Sequence, residues 1–355
     1  MTKTLFDTVT VGKTQLANRL VMSPMTRSRA AAGGLVTDLT AEYYAQRAGA
    51  GLIITEGVQP SVIGQGSIGT PGLHSAEQVA AWRRVTDAVH AEGGKIFAQL
   101  WHSGRVAHSS LYPDGRLPVA PSAVASGGQM FSPEGMLDHP TPHALSTAEV
   151  AQTVADFAGA ARNAVEAGFD GVEIHGANGY LVHQFLSDNC NRRTDVYADR
   201  TRFALEVTHA VAEAIGPERT GIHLSPGNPY NNIEEGDPLG LYTRLLKDLD
   251  PGLAFVHLLE IGDRELVLRL RESWPGTFML NPHTPAFPPY AGMHASPEAA
   301  EDALNVADLV SLGVMWLANP DLVTRIRRGG PYNEPDPATY YGGDHRGYTD
   351  YPAMV

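Results

Sequence analysis

The chain has 355 residues, 43 % of them hydrophobic, a net charge of −13 and a single cysteine, Cys190. That is enough apolar material for one large core or two medium ones, and the negative charge argues against a phosphate-backbone partner. A lone thiol rules out an internal disulfide or a cysteine-rich metal centre and fits a reducing compartment.

The start, MTKTLFDTVTVG, lacks the continuous apolar stretch of a secretory leader, and no later run approaches the ~20 apolar residues that cross a bilayer. A cytoplasmic protein is expected, without membrane or nucleic-acid partners. After a polar, hairpin-like start comes Leu20–Met22, the first of eight short runs that read as strands. The others are Leu52–Thr55, Lys95–Leu100, Gly171–His175, Gly221–Ser225, Leu253–Leu258, Thr277–Leu280 and Asp308–Leu312. Between most of them lies a stretch of 3.6-residue periodicity. Ala76–Glu92 is one; Thr147–Ala167 is another, opening on a Ser146/Thr147 cap with Glu149 in its first turn.

Apolar strands alternating with helices imply a parallel sheet buried on both faces, and eight such units imply a closed (β/α)8 TIM barrel. The expectation is one α/β domain over residues 1–355, with an N-terminal β-hairpin cap and long βα loops. The short Pro-rich stretches at Leu117–Pro121, Phe131–Pro142, Asn281–Pro289 and Tyr332–Pro337 read as such loops rather than as linkers.

The chemistry concentrates in Gly171-Val-Glu-Ile-His175-Gly-Ala-Asn178-Gly-Tyr180, the fourth strand and the loop after it. Gly176 and Gly179 are expected to allow a tight turn that lets His175 and Asn178 converge. Neutral imidazole and carboxamide both donate hydrogen bonds. Aimed at one carbonyl oxygen, they would polarise an enone and stabilise the enolate that follows hydride attack. Tyr180 is then a candidate proton donor. Cys190 reads as an incidental loop thiol, since no base is evident beside it, and no metal site is expected.

This block resembles the substrate-binding segment of the old yellow enzymes, FMN-dependent ene-reductases. So do Asn18-Arg-Leu-Val-Met-Ser-Pro24-Met25-Thr26-Arg27, Gly51-Leu-Ile-Ile-Thr-Glu56, Gln99-Leu-Trp-His-Ser-Gly-Arg105, Asn191-Arg-Arg-Thr-Asp195, Ala318-Asn-Pro-Asp-Leu322 and the ending Gly347-Tyr-Thr-Asp-Tyr-Pro352. The resemblance implies that Pro24, Met25 and Thr26 line the flavin ring, that Gly57 approaches it by its backbone, and that Gln99 bonds its pyrimidine edge. It implies that His175 and Asn178 hold the oxygen of an α,β-unsaturated carbonyl over FMN, and that Tyr180 donates a proton to the substrate α-carbon. Trp101 and Tyr341 would line the substrate pocket, and NAD(P)H would be the reductant.

The resemblance breaks at the cofactor's charged anchors. The family's fifth strand carries an arginine facing flavin N1 and O2, where this chain has Gly221-Ile-His223-Leu-Ser-Pro226. A histidine is shorter, lacks the guanidinium fork and is cationic only when protonated. The family's phosphate grip uses a Gly-rich turn after strand seven and a Gly-Arg pair after strand eight. Here stand a proline-rich loop from Asn281 to Gly292 and Gly313-Val314, and prolines remove amide donors. His283 and His294 are candidate replacements; Arg325, Arg327 and Arg328 read as solvated helix charges. Losing two charge-assisted bonds would weaken FMN binding by about 10²–10⁴-fold. Three functions compete: the FMN-dependent ene-reductase, a flavin-free or altered-cofactor relative running redox-neutral isomerisation or cyclisation through an enolate, and a binding protein without catalysis.

Overall fold

The computed structural model describes residues 3–282 and 295–354. The chain opens with the antiparallel hairpin β1 (Val9–Val11) and β2 (Thr14–Leu16), then β3 (Leu20–Met22), helix α1 (Asp38–Ala45), β4 (Leu52–Val58), α2 (Ala76–Ala91) and β5 (Ile96–Leu100). The long loop that follows carries the short strands β6 (Val119–Ala120), β7 (Gln129–Ser132), β8 (Gly135–Asp138) and β9 (His143–Ala144). Next come α3 (Thr147–Glu166), β10 (Gly171–Gly176), α4 (Leu181–Leu186), α5 (Arg202–Ile215), β11 (Thr220–Leu224), α6 (Pro238–Asp248) and β12 (Phe255–Leu259). The chain ends with α7 (Arg264–Glu272), β13 (Phe278–Asn281), α8 (Pro297–Ala303), β14 (Leu309–Leu312), α9 (Val314–Ala318) and α10 (Leu322–Arg328).

Strands β3, β4, β5, β10, β11, β12, β13 and β14 close into one parallel barrel, β14 returning to pair with β3. The expected (β/α)8 fold is therefore present, hairpin included. Ser146 accepts from the Glu149 N–H, and the Glu149 carboxylate bonds back to the Ser146 N–H, a capping box that starts α3 where the sequence placed it. Ser75 and Gln78 do the same for α2. The largest boundary difference is at β4, which runs on to Val58 rather than ending at Thr55; β12 begins at Phe255 rather than Leu253, because Asp250–Leu253 closes a turn first.

Side chains alternate along a strand, so every second residue of each barrel strand enters the lumen. The lowest layer is apolar: Val21, Ile54, Phe97, Phe255, Met279 and Leu309, plugged from below by Val11 and Leu16 of the hairpin. Each such aromatic or aliphatic side chain contributes about 1.5–3 kcal/mol by leaving water. One step up, the inward positions turn polar: Gln99, Glu173, His223, His257, Asn281 and Ser311. The barrel floor is thus a hydrophobic plug and its mouth a polar layer, which is where βα loops build active sites.

Candidate active site

His175 lies on β10, paired in register with His223 on β11, which pairs with His257 on β12. The three imidazoles form a column. His175 and His223 stack at 5.5 Å between ring centroids, and His223 and His257 at 4.1 Å. The Ala177 N–H donates to His175 Nδ1 at 3.3 Å, which makes Nε2 the protonated, donating nitrogen. Burial, with the neighbouring His223, His183 and His257, holds the ring well below its usual pKa, so it is neutral at pH 7.

The turn after β10 is carried by Asn178 (φ 56°) and Gly179 (φ 74°). Gly176, expected to share in the turn, instead continues the strand and pairs with Leu224. At Gly179 a Cβ would lie 2.6 Å from both Tyr230 O and Asn231 Cβ, so no other residue fits. Asn178 is fixed on all sides. Its N–H donates to Ser225 Oγ (2.9 Å), its carbonyl accepts from Asn231 Nδ2 (2.8 Å), and its Oδ1 accepts from Asn228 Nδ2 (2.8 Å). With Oδ1 occupied, the carboxamide N–H is the side-chain group left to donate. The Tyr180 ring sits edge-on to His175 (5.0 Å) and to Trp101 (5.1 Å). His175, Tyr180 and Trp101 are therefore one cluster.

Below the turn lies a strut that the sequence reading missed. The Gly179 N–H donates to His183 Nδ1 (3.0 Å), and His183 Nε2 donates to Glu235 Oε1 (3.0 Å). Tyr242 Oη donates to the same oxygen (2.7 Å), and the Gly227 N–H donates to Glu235 Oε2 (2.7 Å). Burial alone would raise the Glu235 pKa, but these donors hold it below the carboxylate norm. Glu235 thus ties the turn after β10 to the loop after β11. Its position in Asn231–Asp237, a polar loop, carries no spacing signal.

The polar layer to which His223 and His257 belong is almost fully paired. Gln99 Nε2 donates to Glu173 Oε1 (2.9 Å), and Glu173 Oε2 meets His257 Nδ1 (2.7 Å). His257 Nε2 meets Ser311 Oγ (2.7 Å), and Asn281 Nδ2 donates to Ser311 Oγ (3.1 Å) and Ser23 Oγ (2.8 Å). Burial pushes Glu173 up to about 7, and pushes His223 and His257 down to about 3. His223 is the exception to the pairing: it is buried, and both its ring nitrogens lack a hydrogen-bond partner. Glu173, His223 and His257 bring their ligand atoms within 4.8 Å of one another. Their two imidazole planes, however, are stacked at 16°, so in-plane lone pairs do not converge on one ion.

Pro24, Met25 and Thr26 are half-buried after β3, and Met25 Sδ lies 3.5 Å from where a Cβ on Gly313 would sit, bringing the ends of β3 and β14 together. Trp101 is buried with its indole N–H unpaired, against Gly57. Tyr341 is exposed (69 %). Its segment is strapped down by Arg27 and Arg29, whose guanidiniums donate to the carbonyls of Tyr340, Gly347 and Asp344. Arg325, expected to be a solvated charge, is buried and bonds Asp321 and the carbonyls of Pro331 and Pro352: it clamps the C-terminus. His283 and His294 lie outside the described residues. A cleft of about 530 Å³ beside the hairpin, lined by Lys13, Lys95, Asp170 and Arg219, contains no predicted site residue.

A model of the NADH:flavin oxidoreductase / NADH oxidase family matches residues 4–333. The chain is 42 % identical to chanoclavine-I aldehyde reductase fgaOx3 of Penicillium roqueforti, over 99 % of this chain and 96 % of that one. It is 41 % identical to a probable flavin mononucleotide-dependent alkene reductase of Leishmania infantum, over 97 % and 96 %. Among solved structures it matches morphinone reductase in complex with tetrahydroNAD, with a TM-score of 0.92, 40 % identity and coverage of 99 % and 98 %.

Proposed function

The chain belongs to the NADH:flavin oxidoreductase / NADH oxidase family, and from that premise we propose that it reduces the C=C bond of a small α,β-unsaturated carbonyl compound, with NAD(P)H as reductant and FMN as cofactor. Relatives named for alkene and aldehyde reduction favour this reading over flavin-free enolate chemistry. The observation that carries it is the donor pair at the mouth: a neutral His175 whose tautomer exposes Nε2–H, and an Asn178 whose Oδ1 is already engaged.

The residues at the barrel mouth fit a flavin. The buried, unpartnered nitrogens of His223 and Trp101 need partners. Gly57 leaves its space to the Trp101 indole, since a Cβ there would lie 2.9 Å from it. The Gln99 carboxamide, its Nε2 spent on Glu173, has an acceptor oxygen to offer a ring N–H. Gln99 and His223 would hold the pyrimidine edge, with Pro24, Met25, Thr26, Gly57 and Gly313 about the ring. Bound FMN supplies the hydride.

His175 and Asn178 hold the substrate oxygen and stabilise the charge that develops on it, two donors fixed in place before the reaction begins. Tyr180 keeps its proton at neutral pH, because a phenol titrates near 10, and gives it to the α-carbon. Trp101 and Tyr341 border the substrate. We take residues 1–355 to act as one domain, supported by the Arg27, Arg29 and Arg325 clamps on the C-terminal segment. No helix among the described residues is long and apolar enough to cross a membrane.

The test is spectroscopic. Purified protein, reconstituted with FMN if needed, should show a bound flavin spectrum that NAD(P)H bleaches anaerobically and a cyclic enone restores. Failure to bind FMN, or a reduced flavin that no enone reoxidises, overturns the assignment.

A further inference from the structure

The lumen layer of this barrel holds five potential charges or donors and one unmet need. Gln99, Glu173, His257, Ser311 and Asn281 are linked in a continuous hydrogen-bond chain, while His223, only 5 % exposed, has neither nitrogen bonded and faces Glu173 Oε1 across 4.0 Å. No Lys or Arg among the described residues hydrogen-bonds into this layer. The buried guanidiniums are anchored elsewhere: those of Arg27, Arg29, Arg47 and Arg105 donate to backbone carbonyls, and that of Arg325 to carbonyls and Asp321. Among the described residues the layer therefore holds no fixed cation, and a titratable acid–base cluster stands in its place.

We propose that Glu173, together with His223 and His257, is a redox-linked proton site: the cluster takes one proton from water when the bound flavin is reduced by two electrons, and returns it to water when the flavin is reoxidised. The inference rests on the functional reading above, in which FMN lies on this layer. Reduction by hydride adds two electrons and one proton to the flavin and leaves one negative charge to be compensated. A negative charge within about 4–6 Å favours protonation of a neighbouring group by one to three orders of magnitude. The cluster is set to respond. The titratable groups facing Glu173 are His223 from β11 and His257 from β12, with His175 two residues further along β10; β5 contributes the neutral Gln99 and β14 the neutral Ser311. Burial brings Glu173 up to about 7, where a small change in local charge moves most of a proton. The proton belongs to the cluster as a unit, since the three groups are close enough to titrate together. When substrate takes the hydride, the compensating charge is no longer needed and the cluster's proton leaves.

Proton uptake on anaerobic photoreduction of the FMN-loaded enzyme, followed with an indicator dye in weakly buffered solution at pH 7.5, tests this directly, alongside a reduced-minus-oxidised infrared difference spectrum. The wild type should take up more than one proton per two electrons and show a gain of protonated carboxyl signal. E173Q should take up one proton and lose that signal. H223R, which supplies a permanent cation, should also take up one. In the pH dependence of the midpoint potential, the extra proton adds a further tenfold change per pH unit, about 30 mV for a two-electron couple. A single proton in the wild type, or an extra proton that persists in E173Q, overturns the proposal while leaving the ene-reductase assignment intact. Protein that binds no FMN overturns both. If H223R fails to fold or to hold FMN, E173Q, which keeps the size and the acceptor oxygen of Glu173, decides the question.

Discussion

Two neighbouring regions of the barrel mouth are built on opposite principles. In the turn after β10, every group that could move the site is tied down. Asn178 has three partners, Gly179 is held by His183, and His183 by Glu235. In the lumen layer just below, His223 is buried with no partner at all, beside a carboxylate that burial makes reluctant to ionise. The braced turn has already met the cost of ordering its donors, so they can act on an oxygen without reorganising. The unmet groups carry a standing penalty of about 1–3 kcal/mol each, which a protein keeps where something else completes them. The unpaired nitrogens of His223 and Trp101 lie where we propose that FMN binds.

The braced region should show the largest effect when its chemistry alone is removed. Tyr180→Phe keeps the ring that packs on His175 and Trp101 and removes the hydroxyl. Substrate-dependent reoxidation of the reduced flavin should slow by about 10²–10⁴-fold, while reduction by NAD(P)H stays fast. Stopped-flow measurement of the two half-reactions separates them, and equal slowing of both would assign Tyr180 to packing. Next in size are His175→Ala and Asn178→Ala, each expected to lower kcat/KM by about 10²–10³-fold as one oxyanion donor is lost. If both single variants match the parent, the oxygen is held elsewhere.

A third change reaches the same donors without touching them. Glu235→Gln replaces an acceptor with an N–H₂ group that opposes either the His183 N–H or the Gly227 N–H. The turn should shift, and a displacement of about 1 Å at the reacting atoms costs up to about 10²-fold. The expected signature is a fall in kcat/KM with FMN content unchanged, and restoration of neither activity nor affinity at any pH. Loss of FMN together with activity would place Glu235 in the general fold instead.

Much of this was legible in the sequence. All eight barrel strands appear where short apolar runs predicted them, because inward and outward residues of a parallel barrel are both buried and leave a continuous signal. His175, Asn178 and Tyr180 could be read because they sit within six residues on one strand end. The lumen network could not. Glu173 and His257 stand inside apolar runs, and their partnership depends on register across β10, β11 and β12, which one sequence does not state. The hairpin β7–β8 was read as loop, since Gln129-Met-Phe-Ser and Gly135-Met-Leu-Asp are only four residues each and mostly exposed. Arg325 looked like a surface charge because its acceptors, Pro331 O and Pro352 O, are carbonyls, which no residue pattern advertises. The absence of the family's cationic anchors at positions 223 and 314 was visible only because the resemblance implied an arginine at each. The cluster that we propose in place of the anchor at 223 was not, because it is a property of three strands together.

The smallest expected effect concerns stability, and it reads the unmet region without its cofactor. Glu173 titrates near 7 in the folded chain and near 4.5 once unfolded. The folded state therefore binds the extra proton, and the stability this confers is complete below pH 4.5 and is lost as pH rises to about 7. Glu173→Gln has no such loss. The stability difference between variant and wild-type apoprotein should grow in the variant's favour between pH 4.5 and 7, by at most about 1.4 kcal/mol per pH unit, and level off above. The histidines provide the control on the acid side. His102, His223 and His257 are held near 3 by burial against about 6.5 unfolded. Their stabilising neutrality is complete above 6.5 and disappears as pH falls toward 3; His102, which has no contact with Glu173, keeps this limb in variant and wild type alike. Thermal unfolding across pH 4 to 8 measures both limbs. A difference between the two proteins that does not change with pH would mean that Glu173 keeps one charge throughout this range, and the comparison between a braced turn and a responsive layer would reduce to one of packing.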